Sequence, residues 1–400
     1  MKTTLPWLLL AVLGCSPSDV EDLDPDAIPQ TDGSVVPPGW RAPASACQLD
    51  PPDPTRLILT TTDFATGAVS VIDLDSGVTE TDVAVGSTDA IPHPHGETVV
   101  VVHRHRIDRL DVLSTDDWSL RAQQPITSPT GSPNPHGVAH DASGRVYVTT
   151  FAEPELRILD VGAPPADAEQ GRIDLSAFDE RDGNPESSLI VACGRLMMVF
   201  AQRLDVGFRP VDTGALIVVD SDAGEALDLD PATEEPEPLP LLGGWVRQLR
   251  VDPMDAKRQT LLGLSTGIER IELSTGIRRW ALPPEAMAEA GIGDRLQPQA
   301  FDVDASGTVA YLAAYDPDFS QIRLYRAGLD GAEPRAPEPF SDGYDSVERT
   351  LEVVGDRLWY GSTRRGEPGL WLFDLNADPP AVLAGPVPTG LPPYSMAAMQ

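Results

Sequence analysis

Six histidines fall within one short stretch of the chain, and their type and spacing suggest metal chemistry. They are His93, His95, His103, His105, His136 and His140. Neutral imidazoles are ligands that Cu and Zn accept readily. Three of them are expected on the same side of the molecule, so the metal-site hypothesis rests on His93, His95 and His140. Histidines on solvated surface turns explain the same pattern without a metal, and that alternative stays open.

Two short motifs could indicate catalysis or calcium binding, but their surroundings argue against both. Residues 263–267 read GLSTG, which matches the hydrolase pattern G-x-S-x-G. That pattern needs a helix after the serine, whereas a strand pattern follows here, and no histidine occurs beyond residue 140. Residues 220–224 read DSDAG, a fragment of a calcium loop without its glutamate at position twelve. The sequence therefore gives no catalytic residue and requires no cofactor.

The elements that would position these side chains are short strands that recur along the chain. Residues 134–161 read NPHGVAHDASGRVYVTTFAEPELRILDV, in which a turn separates short apolar runs. Similar units occur at 56–74, 98–112, 195–220, 259–273, 308–327 and 357–375. Their repeat length is about fifty residues, a typical size for a four-stranded propeller blade. Seven such units predict an all-β, seven-bladed β-propeller.

The two ends of the chain indicate how this ring closes. Six units are preceded by a further short run, but the unit at 56–74 is not, and a matching run, LPPYSMAAMQ, ends the chain. Pairing the C-terminal strand into the N-terminal blade would complete that blade and leave no open sheet edge. A single blade cannot bury its two apolar faces, so the blades must stack around an axis. We therefore predict a monomeric propeller over residues 56–400.

The amino-acid sequences of two units, numbered as blades in chain order, resemble the repeats of a known family. VYVTTFAEPELRILDV in blade 3 and AVSVIDLDSG in blade 1 are similar to the YVTN-type repeats of surface-layer-like β-propellers. The resemblance extends over roughly 56–400 and is weaker in blades 4 and 5, where MMVF and LLGL stand in place of YVT. It implies a propeller fold outside the cytoplasm. It implies no reaction, because propellers carry many unrelated activities.

Strand order predicts which polar residues surround the central channel. All inner strands should begin on one face, called here the top face, which also receives the longest insertions, at 125–134, 175–184, 220–242 and 282–297. The last insertion predicts a short helix over 284–290. The residues expected at the channel mouth, named here the mouth ring, are all polar: Thr88, His136, Glu186, Arg247, Gln299, Glu348 and Tyr394. They are the predicted ligand-binding residues, although any solvated mouth would also be polar.

The N-terminal segment has the features of an export signal. Residues 1–14 contain an apolar run that is too short to span a bilayer and is typical of a signal peptide. The sequence VLGC before and at Cys15 resembles the lipobox of bacterial lipoproteins, which implies that Cys15 is acylated. Serine at position 16 favours the outer membrane of a Gram-negative cell. Residues 15–55 are acidic and proline-rich, which predicts a solvated tether.

Two further cysteines could attach that tether to the propeller through a disulfide bond. Cys193 is expected on the underside of blade 4, and Cys47 lies nine residues before blade 1. Nine extended residues reach about 30 Å, enough to cross beneath the ring. In an oxidising compartment we expect a Cys47–Cys193 disulfide. Two buried thiols are the alternative.

The charge of the chain limits its partners. With 62 acidic and 29 basic residues, the net charge is −33, so the surface repels nucleic acid and anionic lipid headgroups. We therefore predict a lipid-anchored propeller that binds a protein or a small ligand through its top face. The alternatives are a lactonase- or dehydrogenase-like propeller enzyme with a metal or quinone in the channel, and a structural envelope component.

Overall fold

The computed structural model describes residues 33–49, 51, 53–129, 131–179, 183–205, 210, 212–294, 296–329, 335–341, 343, 350–363 and 367–400. These residues form short strands, one α-helix, α1 (Pro284–Glu289), and one 3-10 helix (Ser176–Phe178). The predicted helix at 284–290 is thus confirmed. Residues 1–14 and Cys15 lie outside the described residues. In the part of the chain that the structure describes, no helix is long and apolar enough to cross a bilayer.

The strands are short and evenly distributed along the chain. The first ten are β1 (Cys47–Gln48), β2 (Arg56–Thr62), β3 (Gly67–Asp73), β4 (Thr79–Gly86), β5 (Ala90–His95), β6 (Thr98–His103), β7 (Arg109–Ser114), β8 (Leu120–Pro125), β9 (Pro135–His140) and β10 (Val146–Thr150). The next ten are β11 (Glu155–Leu159), β12 (Glu169–Asp174), β13 (Ser187–Cys193), β14 (Leu196–Ala201), β15 (Ala215–Asp220), β16 (Glu225–Ala226), β17 (Leu239–Pro240), β18 (Gln248–Val251), β19 (Thr260–Leu264) and β20 (Ile268–Glu272). The last ten are β21 (Ile277–Leu282), β22 (Pro298–Val303), β23 (Val309–Tyr315), β24 (Ile322–Gly328), β25 (Glu338–Pro339), β26 (Leu351–Val354), β27 (Arg357–Ser362), β28 (Gly369–Asp374), β29 (Ala381–Val387) and β30 (Pro393–Met399).

The strands form seven antiparallel sheets, which are the blades of a β-propeller. Blades 2, 3, 5, 6 and 7 are β5–β8, β9–β12, β18–β21, β22–β25 and β26–β29, each in chain order from the inside outwards. Blade 4 contains β13–β16 with β1 and β17 added, and blade 1 contains β30, β2, β3 and β4. The middle strands are buried on both faces, as in β14, whereas outer strands such as β4 are largely exposed. The prediction of seven blades is confirmed.

The ring closes as the repeat pattern predicted. β30 pairs with β2 in antiparallel register from Arg56–Met399 to Thr61–Pro393, so the C-terminal strand is the innermost strand of blade 1. Met396 on β30 and Leu57 on β2 pack in one cluster with Trp359 of blade 7. Closure therefore buries apolar surface at the boundary with blade 7 and pairs the inner edge of β2.

The segment before the first blade is packed, which corrects part of the tether prediction. Residues 33–49, named here the strap, run along the underside of blades 4 and 5. The Trp40 indole N–H donates to the carbonyl of Leu273 at 3.0 Å, and the Gly39 N–H donates to that of Leu229 at 2.8 Å. The strap ends in β1, which pairs with the inner strand β13. Partial burial of Trp40 and pairing of the backbone outweigh the acidic, proline-rich composition that suggested a solvated segment.

The strap is also joined covalently to blade 4. The structure contains a disulfide between Cys47 and Cys193, which are directly opposite each other in the β1–β13 pair. This is the pairing expected from the sequence. Both cysteines are buried. The bond holds the end of the strap against the lower part of the channel wall.

Candidate functional site

The central channel contains a cavity of about 430 Å³. Its wall is built from the inner strands of blades 1 to 5, from Glu352 of blade 7, and from Cys47, Gln48 and Leu49 of the strap. Propeller blades place these strands side by side because each blade presents its inner edge to the axis. The volume is within the range of about 300–1,000 Å³ that is usual for small-molecule sites.

The described members of the mouth ring lie at or just before the start of the inner strands. Thr88 precedes β5, Glu186 precedes β13 and Arg247 precedes β18, whereas His136, Gln299 and Tyr394 are the second residues of β9, β22 and β30. Glu348 lies outside the described residues. Of the described members, Arg247 lines the cavity. Its guanidinium lies 4.5 Å from the centre of the Trp245 ring, which is a cation–π contact.

Tyr394 belongs to a partly buried polar network that joins blade 1 to blade 2. Its hydroxyl donates to Asp89 Oδ1 at 2.8 Å and accepts from the Arg104 guanidinium at 2.8 Å. Arg104 Nε also donates to Asp89 Oδ1, at 2.7 Å. Because Tyr394 is on the C-terminal strand, this network links that strand to blade 2 at the top face and stabilises the closed ring.

Other described members of the mouth ring contact nearby loops and strands of the protein itself. Glu186 is buried, and its Oε2 accepts the N–H of Leu204 at 2.7 Å. The His136 ring stacks on Phe151 with centroids 4.9 Å apart. Gln299 donates through its side-chain amide to the carbonyls of Leu296 and Pro298. Thr88 is half-buried. These contacts organise the loops of the top face, and ligand binding by the whole ring stays a prediction.

The structure brings the predicted metal trio together at the lower end of β5 and β9. The rings of His95 and His140 stack almost parallel, with centroids 3.9 Å apart, and His93 Nε2 lies 3.3 Å from the carbonyl oxygen of His136. Stacked rings direct their nitrogens along two parallel planes rather than towards one point. Within the described residues, no group of three or more His, Cys, Asp or Glu side chains is arranged to hold a metal ion. The metal hypothesis therefore stays a prediction without a formed ligand set.

His140 has unusual electrostatics for a channel residue. Burial, together with the neighbouring His95 and His93, lowers the pKa of its imidazole to about 3. Burial also lowers the pKa of His95. His140 is therefore neutral at physiological pH. Its Nε2 is buried and has no hydrogen-bond partner among the residues that the structure describes. An unpartnered buried ring nitrogen costs free energy unless a ligand or water satisfies it.

A buried ionic cluster on the opposite side of the channel was missed by the sequence analysis. Arg250 on β18 forms an ion pair with Asp302 of blade 6 at 3.0 Å and with Glu352 of blade 7 at 2.8 Å. Asp302 also accepts the N–H of Val353 at 2.7 Å. All three charged side chains are buried. The sequence did contain an indication of this cluster. Three consecutive repeats have a charged residue at a similar position along the inner strand, where the other repeats have apolar residues.

Comparison with known proteins shows the fold. No protein-family model matches the chain, and no curated protein matches it either. Its fold is similar to that of a protein from Lactobacillus plantarum, at 12% identity and TM-score 0.50, with 87% of this chain and 100% of that chain covered. It is also similar to a provisionally assigned 6-phosphogluconolactonase from Bacteroides fragilis, at 10% identity and TM-score 0.57, with 86% and 98% covered. Likenesses at such low identity carry no activity to this chain.

Proposed function

We propose that this propeller is a binding protein that holds a small ligand in its central channel. The observation that carries the proposal is His140, a neutral buried imidazole whose unpartnered Nε2 belongs to a residue of the cavity wall. A ligand that hydrogen-bonds there would remove the cost of leaving that nitrogen unsatisfied. The surrounding wall combines apolar surface, such as Met396 and Leu249, with polar and charged side chains such as Arg247. This combination is typical of small-molecule sites.

The ligand enters from the top face in this proposal. The strap places Cys47, Gln48 and Leu49 against the lower part of the cavity, and the disulfide holds them there. The opposite end carries Arg247 and the long loops of the top face. The polar side chains of the mouth ring would then act as a selective opening, while the interior provides the contacts.

Filling the cavity tests this proposal. Ala397 is half-buried on β30 and lines the cavity, so Ala397→Leu should occupy part of the space that the ligand needs. We expect small polar fragments to give saturation-transfer NMR signals with the wild type, and at least a tenfold loss of affinity in the variant, about 1.4 kcal/mol. Ala84→Leu on the outer strand β4 is the matched control and should bind as the wild type does. Thermal melts of both variants verify that they are folded.

Two results would contradict a channel site. One is a set of fragments that binds Ala397→Leu as well as the wild type, and the other is an absence of any binding fragment and of any co-purified molecule in native mass spectrometry. The same purified protein distinguishes the enzyme alternative. Stoichiometric Ca, Zn or Cu in the purified protein, or a visible chromophore, would favour a metal- or quinone-dependent enzyme over a binding protein.

We further propose that the protein works outside the cytoplasm, anchored through Cys15 to the outer membrane. The signal-like N-terminus supports this location, and so does the Cys47–Cys193 disulfide, because such bonds persist in oxidising compartments.

The disulfide provides the test of that environment. We expect both cysteines in protein isolated from its own cells to resist alkylation until a reductant is added. The bond links residues 146 apart, so Cys47→Ser/Cys193→Ser should lose at least about 2 kcal/mol of unfolding free energy in urea. Thiols that alkylate freely in the native isolate would argue against an oxidising location.

A further inference from the structure

One carboxylate is buried at the boundary between blades 4 and 5, close to the channel mouth. Glu269 on β20 is 0% exposed. Its two oxygens accept the N–H of Leu242 at 3.0 and 3.1 Å, and Oε2 also accepts the N–H of Gly243 at 3.4 Å. Leu242 and Gly243 precede the inner strand of blade 5. The contact therefore joins the third strand of this blade to the loop that leads into its first.

That loop carries Arg247, which lines the cavity. Residues 241–247, named here the mouth loop, connect β17 of blade 4 to β18 of blade 5 and include Trp245 and Arg247. The mouth loop packs closely against blade 5, since a Cβ on Gly243 would clash with Ser265 Oγ. On the blade 4 side, the Gly243 carbonyl accepts the N–H of Gly214 at 2.8 Å. Weakening these contacts would therefore displace the loop and, with it, the wall of the channel mouth.

The surroundings of Glu269 favour its protonated form. Burial is the largest influence and raises the pKa of the carboxyl to about 7, although the two backbone N–H donors and Arg278 on β21 oppose the shift. Arg278 is the charged group that faces Glu269 from the neighbouring strand, while the mouth loop presents backbone amides to it.

We propose that Glu269 is a pH-sensitive latch on the mouth loop, which is held firmly when the carboxyl is protonated and loosened when it ionises. The latch would regulate access to the channel, and this consequence rests on the proposed binding function. The physical basis is that ionising a buried carboxyl is unfavourable even with Arg278 facing it, and opening the loop lets water reach it.

The sign of the effect follows from linkage. The closed loop holds the proton up to about pH 7, whereas an opened loop returns Glu269 to its ordinary pKa of 4.5. The closed state therefore binds more protons between these values, so opening becomes easier as the pH rises. The opening equilibrium should increase about tenfold per pH unit between about pH 5 and 7, and then level off.

Hydrogen exchange of the mouth loop measures this directly, without any ligand. The Leu242 and Gly243 amides are followed at pH 5.5, 6.5 and 7.5, with rates corrected for intrinsic chemical exchange. In the wild type we expect protection to fall about tenfold from pH 5.5 to 6.5, and by less from 6.5 to 7.5. In Glu269→Gln, protection should not vary with pH, because an amide keeps an acceptor oxygen but does not titrate. The Ile126 amide, bonded to the Asp108 carbonyl on another blade, is the internal control.

The outcomes separate the latch from the binding proposal. Wild-type protection that does not change with pH, or a change that persists in Glu269→Gln, overturns the latch. Glu269→Leu removes the hydrogen bonds from both amides and should lower protection at every pH, which shows that the carboxyl holds the loop. If exchange follows the prediction while fragments bind Ala397→Leu normally, the latch is real and the channel site is not.

Discussion

Replacing Arg250 with methionine should lower the free energy of unfolding by about 3–5 kcal/mol. The substitution keeps a long side chain but leaves Asp302 and Glu352 buried without their shared cation. Removing one partner of a buried ion cluster costs more than the cluster contributes, because the remaining charges keep their desolvation penalty. Urea unfolding monitored by circular dichroism measures the loss.

Two further variants make this prediction specific. Arg247→Met removes a half-buried arginine from the same inner strand region and should cost less than about 1 kcal/mol. The triple variant Arg250→Met/Asp302→Asn/Glu352→Gln removes all three charges and should recover most of the stability that the single variant loses. A loss below about 1 kcal/mol in Arg250→Met would mean that water reaches the carboxylates.

His140→Phe should remove a large part of the acid sensitivity of the protein. The folded protein holds His140 neutral down to about pH 3, whereas the unfolded chain protonates it near its ordinary pKa of 6.5. The unfolded state therefore binds more protons between these values, so stability falls as the pH is lowered through this window. Between pH 7 and 4 this linkage amounts to about 3 kcal/mol.

Phenylalanine keeps a ring that can stack on His95 but does not titrate. Unfolding free energies at pH 7, 5.5 and 4 should therefore fall by about 3 kcal/mol less in His140→Phe than in the wild type. His105→Asn is the control, since it also removes one histidine but leaves the buried pair intact, and it should follow the wild-type curve. Equal pH dependence in His140→Phe and the wild type would show that the buried imidazole is protonated in the folded protein.

Much of the fold could be predicted from the sequence because its determinants are local and repeated. Residues 134–161 contain the turn and the strand pattern of a blade, and six similar units specify the rest. The missing first run of the unit at 56–74 and the apolar run at the C-terminus predicted the closure that β30 and β2 make. The disulfide pairing was also accessible, since few cysteines were available and the chain length between elements limited their reach.

The candidate site could be predicted only in part. Equivalent positions in the repeats identified the channel mouth, but they could not show which side chains turn towards the axis. Arg247 lines the cavity, whereas Glu186 turns to the backbone of Leu204 and Tyr394 to Asp89. Each choice depends on a neighbour that is distant in the sequence, and repeat alignment contains no information about that neighbour.

The sequence by itself determined the number of blades, the order of their strands and the way the ring closes. These features follow from hydrophobic alternation and turn residues within each repeat, which act over a few residues. Only the tertiary structure decided the position of the strap beneath blades 4 and 5, the cluster around Arg250, the stacked His95–His140 pair and the burial of Glu269. These features depend on which blades are adjacent and on how deeply each polar group is desolvated, and both are set when the ring assembles.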